Sequence, residues 1–262
     1  MTVINKHGLR RTVPPDVKRE VRRRCGFGCV ICGLGFYEYE HFDPDFADAT
    51  EHNPVGMTLL CSQCNQKRAR GRLSAATVAA ANANPKCLQQ GFSSELFDFG
   101  SEPIEVEFAG VTFFDCRDLI AVNGRPLLSV SPPNERGEPI LLSGLFADAK
   151  GKVTLTIKDN VWSVDSKNWD VECVGPRITI RRGPGAISLV LRMEPPTRLV
   201  VQRIEMQFQG VYFRGDAETL EISMNGNDWN RWQGCSVRHC MVGIAIEKGP
   251  RAANDPIYEI DG

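Results

Sequence analysis

Residues 29–32 read CVIC and residues 61–64 read CSQC, and these two cysteine pairs organise the N-terminal third of the chain. Two residues between thiolates allow one tight turn to present both sulfurs to the same ion, and two such turns complete a tetrahedral site. Gly28 and Gly33 flank the first pair, as a tight turn requires. The spacing therefore predicts a structural zinc site, whose ligands are Cys29, Cys32, Cys61 and Cys64.

Alternatives to zinc are a redox pair, or cysteines that pack as small apolar side chains. Cys25 lies four residues before Cys29 and could compete as a ligand. The remaining cysteines lack the spacing of metal ligands, so we expect them to be buried as small hydrophobic residues. They are Cys87, Cys116, Cys173, Cys235 and Cys240.

The stretch between the cysteine pairs has the pattern of two short strands and a helix. Residues 36–41, FYEYEH, are aromatic and partly alternating, which is typical of a strand, and they end in Glu40-His41. Residues 57–60, MTLL, predict a second strand, and the residues from Cys61 to Lys67 predict a helix. The predicted order is strand, loop, strand and helix.

In these motifs, residues 16–85 resemble the HNH endonucleases, a family of ββα-metal nucleases, many of which carry zinc. The resemblance depends on CVIC at 29–32, Glu40-His41, and LCSQCNQK at 60–67, and it covers about a third of the chain. It implies that His41 is the general base that activates water, and that Glu40 and Asn65 hold a hard divalent cation, Mg²⁺ or Mn²⁺.

The same resemblance implies that basic side chains near the site bind the phosphates of DNA, with RNA left open. Those expected to do so are Lys67, Arg68, Arg70 and Arg72, together with Arg22 and Arg23 of the first helix. His52, in the loop, could be a second catalytic metal ligand, could orient a phosphate, or could be solvated. His7 and His239 have no supporting context.

Two positions depart from the family pattern. The family has an asparagine about five residues before the third cysteine, where this chain has Gly56, and Asn53 could serve from the loop instead. Asn65 stands where many members have histidine, which is a stronger ligand.

Composition predicts a soluble globular protein, and the length suits one large domain or two modest ones. The chain has 262 residues, 31 basic and 32 acidic, and 42% hydrophobic residues. Residues 1–92 carry 13 basic and 8 acidic side chains, whereas the rest is acidic. With no secretory signal or long apolar run, we expect a cytoplasmic protein without membrane contact. We assign residues 1–92 to the nuclease domain, 93–103 to a linker and 104–262 to a β-rich domain.

The C-terminal part has short β-rich runs between turn signals, and the predicted fold class is α+β with a sandwich-like second domain. The predicted strands are 104–108, 111–114, 153–157, 177–181, 187–191, 199–204 and 219–223. Asn123-Gly124 and Asn225-Gly226 predict two-residue hairpin turns. Residues 104–113 and 204–213 match at six of ten positions, which favours two related β units.

No chemistry is evident in this β-rich part. Its four tryptophans favour core packing, with an aromatic pocket for a base or nucleotide as the alternative: Trp162, Trp169, Trp229 and Trp232. The domain could serve recognition, activation by a protein or nucleotide ligand, or partner binding, as in bacterial defence nucleases. The rival hypotheses are a non-catalytic zinc module that binds nucleic acid and a protein-interaction module. The oligomeric state is not predicted.

Overall fold

A computed structural model describes residues 4–249 and divides the chain into two compact units. The first contains the N-terminal residues as far as Glu95 together with Ser163–Val174, and the second contains Leu96–Trp162 and the chain from Gly175. Strands make up 47% of the residues and helices 15%, so the protein is mostly β. The division differs from the one that composition predicts, because residues 163–174 join the first unit.

The elements are numbered in chain order. The helices are α1 (Pro15–Cys25), α2 (Ser62–Ala69), α3 (Ala75–Ala83) and α4 (Lys86–Gln90), with a 3₁₀ turn at Pro54–Gly56. The strands are β1 (Glu38–His41), β2 (Met57–Leu60), β3 (Phe92–Leu96), β4 (Glu105–Phe108), β5 (Val111–Val122), β6 (Arg125–Ser131), β7 (Leu141–Ala147), β8 (Val153–Lys158), β9 (Val161–Asp165), β10 (Asp170–Val174), β11 (Arg177–Gly183), β12 (Ala186–Glu194), β13 (Arg198–Phe208), β14 (Val211–Gly215), β15 (Thr219–Ser223), β16 (Asn230–Gln233) and β17 (Cys235–Ile246).

The first unit contains the predicted order of two strands and a helix. β1 and β2 pair antiparallel, with Glu38 opposite Leu60 and His41 opposite Met57, and α2 begins at Ser62. All four residues of β2 are buried, and Val21 of α1 packs in the same core. This small sheet therefore places the end of β1 beside the start of α2.

Local signals set the ends of the helices. Pro15 occupies the first turn of α1, where its missing N–H costs no hydrogen bond. Gly26, with φ of 72°, ends α1 in the left-handed conformation that glycine adopts without strain. The Ser74 hydroxyl caps α3 by accepting a hydrogen bond from the Thr77 N–H at 3.0 Å.

Arg22 of α1 is buried and bound to acidic residues far along the chain. Its guanidinium donates to both carboxylate oxygens of Asp170, at 2.8 and 2.7 Å, and to Glu172 at 2.9 Å. It also donates to the Tyr39 hydroxyl at 2.8 Å. Arg22 is 3% exposed, so its prediction as a phosphate-binding residue is wrong. This ion pair helps to join residues 163–174 to the first unit. Arg23 is exposed.

The second unit is built on a curled sheet. Within this unit the strands follow the order β11-β12-β13-β4-β5-β6-β7-β8. β14 also pairs with β13 and continues through β15 to β16, while β17 lies parallel to β5. Each run that the sequence marks as a strand in this part overlaps an observed strand. The strands are hydrogen-bonded into one sheet, where the sequence predicted a sandwich-like arrangement.

The two matching segments form equivalent hairpins. Phe108 pairs with Val111 across the β4–β5 turn, and Phe208 pairs with Val211 across the β13–β14 turn. Both turns have two residues with positive φ, and in the first an added Cβ on Gly110 would lie 2.1 Å from the Glu218 carbonyl oxygen. β4 and β13 run parallel as neighbours. The repeat is thus visible as a pair of adjacent hairpins.

The two Asn-Gly sequences have different structures. Asn123 and Gly124, with φ of 49° and 72°, form the predicted two-residue turn between β5 and β6. Asn225-Gly226 instead lies in the longer loop of the antiparallel β15–β16 hairpin, so the prediction of a two-residue turn there is wrong. The longer loop has a local cause. The Asn225 side chain accepts hydrogen bonds from the backbone N–H groups of Asn227 and Asp228, both at 2.9 Å.

Replacing Arg22 with leucine is expected to destabilise the protein by about 3–5 kcal/mol, because Asp170 would stay buried without its cation. Urea unfolding followed by circular dichroism measures the change. Arg23→Leu, at an exposed position on the same helix, is the matched control and should change stability by less than about 0.5 kcal/mol. Equal effects of the two substitutions would contradict a stabilising role for the buried pair.

Candidate functional site

The four cysteines of the CxxC pairs form one cluster. The Sγ atoms of Cys29, Cys32, Cys61 and Cys64 all lie within 4.8 Å of one another. Cys32 Sγ lies 3.6 Å from Cys61 Sγ and 4.0 Å from Cys64 Sγ. Such a cluster could hold a structural metal such as zinc, and its members are the four that the spacing predicts.

Backbone hydrogen bonds shape both halves of the cluster. The Cys29 N–H donates to Leu34 O at 2.8 Å, and the Gly33 N–H donates to Cys29 O at 2.9 Å. Gly33 has φ of 84°, which closes the turn. Cys61 caps α2, and its Sγ accepts from the Cys64 N–H at 3.4 Å. The second pair of thiols is therefore held by the first turn of α2.

The crowding of the thiols limits how many can ionise without a cation. A hydrogen bond from Cys32 lowers the pKa of Cys29 to about 5. Burial, and then the charge of Cys29, raise the pKa of Cys64 to about 12. One thiolate thus suppresses ionisation of another, and four thiolates need a metal ion between them. Cys25, the possible competitor, instead contacts Thr58 Oγ1 at 3.9 Å.

His41 lies at the end of β1 and forms a hydrogen-bonded chain with His52. The His41 Nε2 and His52 Nδ1 atoms are 3.2 Å apart, and His52 Nε2 is 2.9 Å from the Arg10 carbonyl oxygen. A carbonyl only accepts, so with both rings neutral His52 Nε2 carries a proton and His52 Nδ1 accepts from His41 Nε2–H. The Nδ1 atom of His41 then keeps its lone pair.

Burial keeps His41 neutral. The side chain is 7% exposed and lies against Phe46, with ring centroids 5.4 Å apart. Burial, and to a smaller extent the charges of His52 and Arg11, lower the pKa of His41 to about 4. At neutral pH the imidazole is therefore unprotonated, the form that accepts a proton.

Glu40 and Asn65 are brought together as the resemblance implies, and Glu38 joins them. The Asn65 Nδ2 atom donates to Glu40 Oε1 at 2.6 Å and to Glu38 Oε2 at 2.9 Å. Glu38 and Glu40 are two residues apart on β1, so they share a face of the strand. That spacing could have identified Glu38 in the sequence. The three side chains form an oxygen-rich group beside His41.

A cleft of about 560 Å³ connects these groups. It is lined by Arg11, Glu40, His41, Asp45, Phe46, Asn65, Arg68, Ala69, Leu73 and Ala75. The Arg68 guanidinium already uses some of its donors within the protein, because it donates to His41 O at 2.8 Å and pairs with Asp45. The other predicted phosphate-binding side chains of this segment are exposed at and after the end of α2: Lys67, Arg70 and Arg72.

The loop explains why position 56 holds glycine rather than asparagine. Gly56 lies so close to the backbone of Asp43 that an added Cβ would be 1.9 Å from the Asp43 carbonyl oxygen. Its own carbonyl oxygen accepts from the Phe42 N–H at 2.9 Å. Asn53, the substitute that the sequence offered, caps the 3₁₀ turn by accepting from the Val55 N–H at 3.0 Å. The residue that contacts the candidate base is therefore His52.

The four tryptophans have separate surroundings. Trp162 is fully buried, as core packing predicts. Trp169 stacks with Arg19 and Trp229 with Arg214, at 3.6 and 3.8 Å from guanidinium carbon to ring centroid. Trp232 is 37% exposed. The rings of Trp169 and Trp229 are therefore already covered on one face by a cation.

No protein-family model, curated protein or solved structure matches this chain. The assignment of the site therefore depends on the distances, burial and charges of its own residues. Within residues 4–249, no helix has both the length and the apolar character needed to cross a membrane.

The purified protein is expected to contain about one zinc ion per chain, and Cys61→Ser should lose it and unfold the first unit, because folding and metal binding are coupled. Metal analysis and circular dichroism measure both effects. Cys87→Ala, at another buried cysteine of the same unit, is the control and should keep its zinc. Full zinc occupancy in Cys61→Ser would remove Cys61 from the ligand set.

The hydrogen-bonded chain predicts the tautomers of both histidines. At pH 8, ¹⁵N shifts of the imidazoles should show His41 and His52 each protonated on Nε2. His52→Ala should remove this preference and mix the tautomers of His41, since the acceptor is lost. His7→Ala, at an exposed site, should leave the His41 signals unchanged. A protonated Nδ1 on His41 in the wild-type protein would contradict the arrangement.

Proposed function

We propose that the first unit is a metal-dependent endonuclease of the HNH type that hydrolyses phosphodiester bonds in DNA. The observation that carries the proposal is the convergence of a neutral, oriented His41 with Glu40 and Asn65 in one cleft. The strand–strand–helix element that holds them is anchored at the proposed structural zinc site. A closed site of four cysteine ligands leaves no position for water, so the zinc has no catalytic role.

In this mechanism His41 is the general base. Its neutral ring takes a proton from a water molecule at Nδ1, while Nε2–H remains bonded to His52. His52 is a positioning residue, because its own bond to Arg10 O fixes which nitrogen faces His41. Proton transfer to a positioned base of this kind typically contributes about 10²–10⁴-fold to the rate.

The group formed by Glu38, Glu40 and Asn65 fits a hard divalent cation. Two carboxylates converge on one amide nitrogen, so the site attracts positive charge. Turning the Asn65 amide would present its oxygen to the same position, and oxygen is the ligand that Mg²⁺ and Mn²⁺ prefer. When bound, the cation would polarise the scissile phosphate and stabilise charge on the leaving oxygen.

Exposed basic side chains would hold the flanking phosphates. Arg11 lines the cleft, and Lys67, Arg70 and Arg72 are exposed on or just after α2, the helix that carries Asn65. Arg23 is exposed but lines a different cleft. RNA presents the same phosphates, so it remains a second substrate to test. The second unit would serve recognition or activation by a protein or nucleotide ligand.

The second candidate function is nucleic-acid binding without cleavage. It is favoured by the orientation of Asn65, whose amide nitrogen rather than its oxygen faces both carboxylates. In such a protein the three side chains would stabilise the β1–α2 contact, and His41 would be a structural residue. Binding would still depend strongly on salt, because phosphate contacts release counterions.

Wild-type protein is expected to nick supercoiled plasmid with Mg²⁺ or Mn²⁺, and His41→Ala should lower the rate at least about 100-fold, because the base is lost. Gel electrophoresis of the plasmid measures the rate. His7→Ala is the matched control and should cut like wild type. Chelation of the divalent cation should stop cleavage while DNA binding persists.

Each alternative gives a different result. Equal cutting by wild type and His41→Ala would remove His41 from the mechanism. Binding without cutting by folded, zinc-loaded wild-type protein would support the binding module instead. Cutting of RNA alone would keep the mechanism and change the substrate.

A further inference from the structure

The second unit contains a pair of cysteines that the proposed nuclease does not use. Cys116 of β5 and Cys240 of β17 lie opposite each other in parallel strands. Their Sγ atoms are 3.0 Å apart, about 1 Å longer than a disulfide bond. Adjacent strands are about 4.8 Å apart, which lies within the range of Cα separations that disulfides span. A small movement of the side chains would therefore bring the sulfurs to bonding distance.

Both strands have the same irregularity immediately before these cysteines. Asp115 and His239 have left-handed backbones, with φ of 51° and 53°. Their side chains bond to each other, with His239 Nδ1 2.8 Å from Asp115 Oδ2. Non-glycine residues adopt this conformation at a cost in free energy, and such strain is concentrated at functional positions. The matched irregularities occur directly before the point at which the two thiols meet.

The thiols open onto a cavity of about 460 Å³. Its wall includes both cysteines, the Asp115–His239 pair and apolar side chains such as Ile104 and Met241. Cys116 is buried, whereas Cys240 is partly exposed. A small molecule in the cavity could therefore reach Cys240 first, with Cys116 behind it as the resolving thiol.

The other cysteines are placed differently. Four form the cluster of the first unit. Cys25, Cys87 and Cys173 are buried, and Cys235 lies at the start of β17. Outside the CxxC cluster, the sulfurs of Cys116 and Cys240 approach each other to 3.0 Å.

We propose that Cys116 and Cys240 are a redox-active dithiol that forms a disulfide by exchange with a low-molecular-weight disulfide entering this cavity. Burial, and then Cys116, raise the pKa of Cys240 to about 11, so exchange is expected to speed up with pH. The Cys240 thiolate attacks one sulfur of the incoming disulfide and expels the other as a thiolate, which takes up the proton that Cys240 lost. The Cys116 thiolate then attacks the Cys240 sulfur and expels the second thiol. The protein loses two hydrogen atoms, and the small disulfide is reduced to two thiols.

The bond would attach β17 to β5 covalently. β17 pairs with β5, and the two cysteines are 124 residues apart in sequence. A cross-link over so long a segment restricts the unfolded chain strongly. It would also fix two walls of the cavity, because β5 contributes Arg117 and β17 contributes Met241. The redox state would thus control how readily the last strand separates and how freely the cavity opens.

The test uses full-length, zinc-loaded protein equilibrated in mixtures of reduced and oxidised glutathione. Free thiols are blocked, and the digested protein is analysed by mass spectrometry. Wild type should give one cross-linked peptide pair containing Cys116 and Cys240. Dithiothreitol should reduce this cross-link, and the protein should keep its zinc throughout. The oxidised protein should melt several degrees above the reduced one.

Variants separate the two steps. Cys116→Ser should leave Cys240 as a stable glutathione adduct, since the resolving thiol is missing, and should abolish the shift in melting temperature. Cys235→Ser, in the same strand, is the control and should still form the disulfide. If a variant fails to fold, the wild-type peptide map still decides.

Three results would overturn the proposal. One is wild-type protein in which Cys116 and Cys240 stay free while Cys235 becomes glutathionylated. Another is a disulfide that joins Cys235 to either of them. The third is a second zinc ion per chain that is lost in Cys240→Ser, since the pair would then be a metal site.

Discussion

Four thiols within 4.8 Å of one another cannot all ionise unless a cation lies between them, and the first unit is arranged around that constraint. The second cysteine pair belongs to the N-terminus of α2, so the cluster fixes where this helix begins. Asn65 follows Cys64 directly, and β2 ends one residue before Cys61. Through the β1–β2 pairing the same anchor sets the position of Glu40 and His41. The candidate catalytic side chains therefore lie on elements that the cluster holds in place.

The sequence predicts these parts well because their signals are local. The clustering of the four CxxC cysteines and the strand at residues 57–60 each depend on a few consecutive residues, and both predictions are confirmed. The repeated hairpins are equally local, since two turn residues with positive φ determine each one. Asn225 shows the limit of such signals, because its side chain bonds to the following backbone and gives a longer hairpin loop where the dipeptide predicts a two-residue turn.

What the sequence does not reveal depends on contacts between distant residues. Nothing near Arg22 indicates that its partners are Asp170 and Glu172, so its basic helix face resembles a phosphate-binding surface. The contact of His41 with His52 depends on the path of the loop between the strands. The approach of Cys116 to Cys240 depends on a parallel pairing between strands more than a hundred residues apart in the chain, which no local pattern encodes.

The pairing of two histidines decides which nitrogen of His41 is available. A buried imidazole is costly unless its polar atoms are satisfied. His41 uses Nε2 toward His52, and His52 in turn uses its other nitrogen on a backbone carbonyl that can only accept. The carbonyl oxygen of Arg10 thereby sets the donor and acceptor of each hydrogen bond in this series, at the end that lies away from the cleft. Burial lowers the pKa of His41 to about 4, so its free lone pair is unprotonated at neutral pH. One nitrogen is thus held as a donor and the other keeps its lone pair, and His41 lines a cleft that also contains Glu40 and Asn65.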